Sequence, residues 1–134
     1  MKGRFGAVLA AAVTAAIVNF VGVLYFFQPI AGADSPGEPL LPAAVAFLVY
    51  VVLSVVLLDW VNQKVGDPIR AGLAIAFSQI ILVSVDFVLR GDRGLATGAA
   101  SGILILITWL GMGAAYGLVL RKRNPAQSQA AHGV

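Results

Sequence analysis

Cysteine is absent from the chain, and histidine occurs once, as His132 near the C-terminus. The first absence excludes disulfides, thiolate nucleophiles and cysteine-ligated metals. The second excludes bis-histidine haem ligation and leaves no histidine for a buried metal site or a general base within the apolar part of the chain. Charge is scarce too: Asp, Glu, Lys and Arg make up 11% of the residues, where a soluble domain carries about 25%. No basic patch is interleaved with aromatics, so the net charge of +3 gives no reason to expect nucleic acid. No cofactor and no metal site are expected.

What fills the chain instead is hydrocarbon, 60% of it hydrophobic. Apolar runs lie at about 5–27, 40–60, 69–90 and 95–120. At about 1.5 Å per residue each is long enough, as a helix, to cross a hydrocarbon core of about 30 Å. The fold class expected is all-α, an integral membrane four-helix bundle over residues 1–123, followed by a flexible polar tail at 124–134.

The first run follows the basic start Met1-Lys2-Gly3-Arg4 and is trailed by Ala31-Gly32-Ala33, which has the form of a signal-peptide cleavage site. A signal h-region spans about 7–15 residues; this run is longer, so a retained span is expected. Ala7, Ala11, Ala12, Ala15, Asn19 and Gly22 gather on one side of it. Small residues at this spacing let two helix backbones approach closely in lipid. Pro29, Gly32, Pro36, Gly37 and Pro39 predict that the helix stops near Phe27 and gives way to an acidic loop with Asp34 and Glu38.

The second run is predicted to take Pro42 into its first turn and to end at Asp59-Trp60, an aromatic at the interface. Asn62 to Gly66 reads as a turn, and Asp67-Pro68 as an N-cap with proline at the first helical position. The third run closes at Arg90-Gly91-Asp92, a tripeptide read as a helix end. In the fourth, Gly94, Gly98 and Gly102 form a ridge, with Gly113 and Gly117 at the same spacing lower down. These five are expected to pack against neighbouring helices. Trp109, mid-span, is expected to pack internally, and Arg121-Lys122-Arg123 ends the span.

The third run holds the candidate polar site. Gly72, Ala76, Gln79, Val83, Asp86 and Arg90 follow at steps of three or four, which predicts a single small-and-polar stripe on one helix face. An acid in such a helix is costly against lipid and should face protein or water. Helical rise puts Asn19, Asp86 and Ser101 at similar depths, a candidate outer layer; Gln79, Tyr50 and Thr108 fall near mid-membrane as a second. The alternative is structural: Asp86 and Arg90 are at i and i+4 and can satisfy each other on one helix. Val18-Asn19-Phe20-Val21 also matches Val85-Asp86-Phe87-Val88, which suggests a faint parallel repeat.

Lys2, Arg4, Lys64, Arg70, Arg121, Lys122 and Arg123 fall on one side of four such spans, and Arg90 and Arg93 on the other. By the positive-inside rule both termini are expected in the cytoplasm, and the location is a cell inner (plasma) membrane crossed several times.

From Tyr50 to Gly117 the chain resembles a group of small four-span bacterial membrane proteins known only as a domain of unknown function. The residues that carry the resemblance are Arg70-Ala71-Gly72 at the start of the third span, Asp86 late in it, and Trp109 in the fourth. It implies the four-span architecture and no activity.

Three functions are open at this point. The first is an accessory or structural subunit packing in a larger membrane complex, with the lipid bilayer and other membrane chains or copies of itself as partners. The second is a small oligomeric transporter or channel in which Asp86 binds a proton or cation. The third is a membrane enzyme acting on lipid or quinone, for which one carboxylate without histidine or cysteine is a thin catalytic kit. No catalytic residue is assigned.

Overall fold

A computed structural model describes residues 4–31 and 41–123, all of its regular structure helical. The C-terminal tail and most of the acidic loop, with Asp34 and Glu38, lie outside the described residues. Four helices are long and apolar enough to cross a membrane: α1 (Phe5–Ala31), α2 (Ala43–Val65), α3 (Pro68–Leu89) and α4 (Leu95–Arg123). Each packs on its neighbours in sequence, and α4 closes the ring against α1. Phe20 meets Phe47 edge-on at 6.4 Å and Arg4 meets Asp59, which sets α1 and α2 antiparallel. Outward faces are apolar, as Leu9, Val13 and Ile17 show on α1.

The helix ends differ from the sequence expectation in three places. α1 does not stop at Phe27 but continues through Pro29 to Ala31. Proline lacks an N–H, and its ring collides with the carbonyl four residues back. Val23–Phe27 is π-helical, with the Gln28 N–H bonded to the Val23 carbonyl five residues back, and this wider turn accommodates the ring. In α2, Pro42 is the N-cap rather than a first-turn residue, its carbonyl accepting from the Ala46 N–H at 2.9 Å. The same helix runs past Trp60 to Val65, through residues expected to turn. Gly66, at φ 77°, ends it, donating its N–H to the Asn62 carbonyl at 2.8 Å. A left-handed glycine, not the interfacial tryptophan, is the stop.

Asp67 caps α3, its Oδ1 accepting from the N–H groups of Ile69 (2.8 Å) and Arg70 (3.0 Å), with Pro68 at the first helical position. The far end closes as a Schellman motif: Gly91, at φ 79°, donates to Val88 and Asp92 donates to Phe87. The Arg-Gly-Asp tripeptide is that cap, and Arg93 adds a cation–π contact 4.9 Å from the Phe87 ring centre.

The packed core sits in one half of the bundle, where the termini of α1 and α4 and the α2–α3 turn meet. Ala7, Ala11 and Ala15 of α1 are fully buried, together with Leu58, Ala71, Ala76, Met112 and Tyr116. In the other half α3 and α1 still pack on α4, but α2 stands away from α1. From Ala43 to Tyr50 on α2 only Phe47 is even half-buried. A cleft of about 670 Å³ runs between α1 and α2 past Asn19, Phe20, Leu24, Phe47 and Tyr50. A second, of about 530 Å³, lies between α3 and α4 beside Ile80, Val88, Gly98 and Ile103.

Candidate functional site

The polar side chains fall at three levels, and the outer one is not the layer expected. Asp86 is bonded to Arg90 on its own helix, with Oδ2 2.7 Å from Nη2 and Oδ1 accepting from Nε at 3.1 Å. Its side chain is 38% exposed, and it shares no hydrogen bond with Asn19 or Ser101. Asn19 turns back along α1 and donates to the Ala15 carbonyl at 3.0 Å. Ser101 is buried and accepts from Ser84 of α3 at 3.2 Å.

The reason is a phase shift in α3. Ile80–Val85 is π-helical, with the Asp86 N–H bonded to the Ile81 carbonyl five residues back. A π turn takes in an extra residue, so the face toward α4 advances in steps of four. Ile80 and Ser84 lie by Gly102, and Ser84 and Val88 by Gly98. Ser84 therefore holds the place expected of Val83, and Asp86 is rotated off the contact face. The widened turns in α1 and α3 also fall on opposite sides of the matching tetrapeptides, at 23–27 after Asn19 and at 80–85 before Asp86. The internal match therefore has no counterpart in the backbone.

At mid-depth Gln79 has a cross-helix partner. The indole Nε1 of buried Trp109 donates to Gln79 Oε1 at 2.9 Å. Thr108 donates to Leu104 on its own helix, and Tyr50 is exposed in the α1–α2 cleft. The expected second layer of Gln79, Tyr50 and Thr108 is thus replaced by one Gln79–Trp109 bond.

The glycines differ among themselves. Gly98 and Gly102 lie against the outer part of α3, while Gly113 and Gly117 lie against Pro68 at its start. Gly94, expected to pack with them, has open space where a side chain would be; it precedes the first residue of α4 and so has no helix across from it. Gly72, outside that set, closely approaches backbone, its position for a Cβ only 2.5 Å from the Trp109 carbonyl oxygen, as Gly113 does with the Pro68 oxygen.

The inner level was not expected. Asp59 Oδ1 accepts from the Tyr116 hydroxyl at 2.5 Å, and its Oδ2 accepts from Gln63 Nε2 at 2.8 Å. Arg4 Nη1 stands 3.5 Å from Oδ1. Three helices thus converge on one carboxylate, and Tyr116 and Asp59 join α4 to α2 across the diagonal of the ring. The available sequence signal was the i, i+3, i+4 spacing of Asp59, Asn62 and Gln63, visible only once α2 is carried to its glycine stop. Outside the spans, the Asp67 carboxyl is held below its ordinary value, chiefly by the hydrogen bond from the Arg70 N–H and further by that from Ile69.

No set of three acidic or histidine side chains that could hold a metal ion is assembled among the described residues. No family model, no curated protein and no solved structure matches the chain. The four apolar helices fit a multi-pass membrane protein.

Proposed function

We propose that the chain is an accessory subunit of a larger membrane assembly, in a bacterial inner membrane, with both termini cytoplasmic. The observation that carries the reading is the unequal packing of the bundle. One half is closed by buried alanines, Trp109, Met112 and Tyr116, while in the other α2 stands away from α1 and leaves the cleft of about 670 Å³. Lipid-embedded helices associate through packing and close backbone approach, and an apolar helix of another subunit is a fitting occupant for a cleft of this kind. Orientation rests on charge: Arg4, Lys64, Arg70, Arg121 and Lys122 belong to the closed end, Arg90 and Arg93 to the open end.

Transport through Asp86 has less support, because its carboxylate is occupied by Arg90. Mass measurement on the particle extracted in mild detergent from native membranes tests the proposal. A hetero-complex well above the 13.9 kDa chain is expected. A particle containing this chain alone would overturn it. A reporter fused after Arg123 should behave as cytoplasmic, and one placed between Asp34 and Gly37 as external; the reverse would refute the orientation.

A further inference from the structure

Four cations at the closed end of the bundle have no acidic partner among the described residues. Lys64, Arg70, Arg121 and Lys122 are all exposed, while the ion pairs formed are Arg4 with Asp59 and Arg90 with Asp86. Asp59 and Asp67, the acids of that end, are already engaged. The first accepts from Tyr116 and Gln63, and the second caps α3. The open end differs: Arg90 is held by Asp86, and Arg93 lies over the Phe87 ring. The four free cations come from the last turn of α2, the first of α3 and the last of α4. They border one end of the bundle, where Gly113 and Gly117 of α4 seat against Pro68 of α3.

Exposed hydrocarbon adjoins each of them. Trp60 and Leu118, one helical turn deeper than Lys64 and Lys122, are each 59% exposed, and Ile69 is exposed beside Arg70. Positive charge bordering bare apolar surface fits an amphiphile, with an anionic head and an apolar chain. Free phosphate would meet the charge and leave the hydrocarbon uncovered. We propose that this end of the bundle is a binding surface for anionic phospholipid. The phosphate heads lie against Lys64, Arg70, Arg121 and Lys122, and the acyl chains run along Trp60, Ile69 and Leu118. Basic clusters at the ends of spans attract anionic lipid, and tryptophan favours the same boundary. This inference is independent of the accessory role, since it concerns the lipid around the chain and not the occupant of the α1–α2 cleft.

The two tryptophans of the chain supply the reporter. Trp60 is open to lipid one turn from Lys64, whereas Trp109, 1% exposed, is shielded. The purified full-length chain is reconstituted into vesicles that mix phosphatidylglycerol with phosphatidylcholine, one or the other brominated. Bromine quenches an indole that it touches, so the two series compare the lipids beside Trp60. At low salt phosphatidylglycerol should be preferred about fivefold, the effect of one basic side chain near the surface. Rising salt should erode the preference, because the charges are exposed. Lys64→Gln combined with Arg70→Gln should bring it close to parity, and Arg93→Gln, at the open end, should leave it unchanged. Inorganic phosphate at matched ionic strength should not displace the lipid. Displacement by inorganic phosphate would overturn the proposal, as would equal quenching by the two brominated lipids. Both comparisons use the unaltered chain and stand even if the double variant fails to fold.

Discussion

The indole of Trp109 donates to the Gln79 side-chain carbonyl across the α3–α4 contact at 2.9 Å. The bond lies where the packed half of the bundle meets the open half. Trp109 is 1% exposed and the first π-helical residue of α3, Ile80, follows Gln79 directly. A buried indole N–H left without an acceptor is costly, and in a membrane no water replaces the lost partner. Cross-helix hydrogen bonds in lipid measure about 0.6 kcal/mol on average and up to about 1.7. Gln79→Leu and Trp109→Phe should each destabilise the bundle, and the double variant should lose less than the sum by a coupling in that range. Unfolding by a denaturing detergent, run as a double-mutant cycle, measures it. Strict additivity would show that the bond contributes nothing.

Gly72 and Gly113 are the described glycines at which an added Cβ would meet backbone below 3.0 Å, and both should resist replacement. A Cβ on Gly72 would lie 2.5 Å from the Trp109 carbonyl oxygen, and one on Gly113 2.5 Å from the Pro68 oxygen. Both obstacles are backbone, which no rotamer change can move, so α3 and α4 would have to part. Overpacking of this kind costs about 1–3 kcal/mol. At Gly102 the nearest atoms are 3.9 Å away, an ordinary contact, and at Gly94 nothing is near. Gly72→Ala and Gly113→Ala are expected to lower stability, while Gly102→Ala and Gly94→Ala stay close to the parent. Gly102→Leu, which is larger, should still disturb the fit to Ile80 and Ser84. Equal stability across the four alanine variants would refute the close crossing.

Asp86→Asn should be nearly silent in folding. Its partner is one turn away on the same helix, and exposed i,i+4 pairs are worth about 0.3–0.5 kcal/mol. Asp59→Asn, by contrast, weakens the acceptor for Tyr116 and the contact with Arg4 together, and should destabilise more. Side-by-side thermal unfolding of the two variants decides the order. A large loss in Asp86→Asn alone would mean that the acid has a partner beyond Arg90.

The number of helices, their approximate places and the cap at Asp67-Pro68 were readable because hydropathy and capping are local properties of the chain. Pairings across the bundle were not. The stripe through Val83 and Asp86 assumed a uniform helix, and a single π-helical stretch moved Ser84 into the contact and Asp86 out of it. Periodicity carries no sign of where a turn will widen. Asp59 was passed over for a related reason: beside Trp60 it resembled the end of a span, although α2 continues to Gly66. Its partner Tyr116 lies in another helix, and no spacing rule links residues so far apart in sequence.

Asp67 ties stability to pH at the α2–α3 turn. As a carboxylate it accepts from the N–H groups of Arg70 and Ile69, and the first of these bonds is the leading cause that lowers its pKa. A group whose folded pKa lies below the unfolded value stabilises the fold most fully above the unfolded value, near 3.9 for aspartate. That contribution drains away as pH falls past the unfolded value and through the lower folded one, because protonation is then easier in the unfolded chain. Asparagine also accepts at an N-cap but does not titrate. Asp67→Asn should therefore flatten the acid limb of the stability profile while retaining helix α3, whereas Asp67→Ala should lose the cap at every pH. Thermal unfolding of the three proteins between neutral pH and the acid range measures both effects. An unchanged acid limb in Asp67→Asn would show that the cap does not carry the pH response.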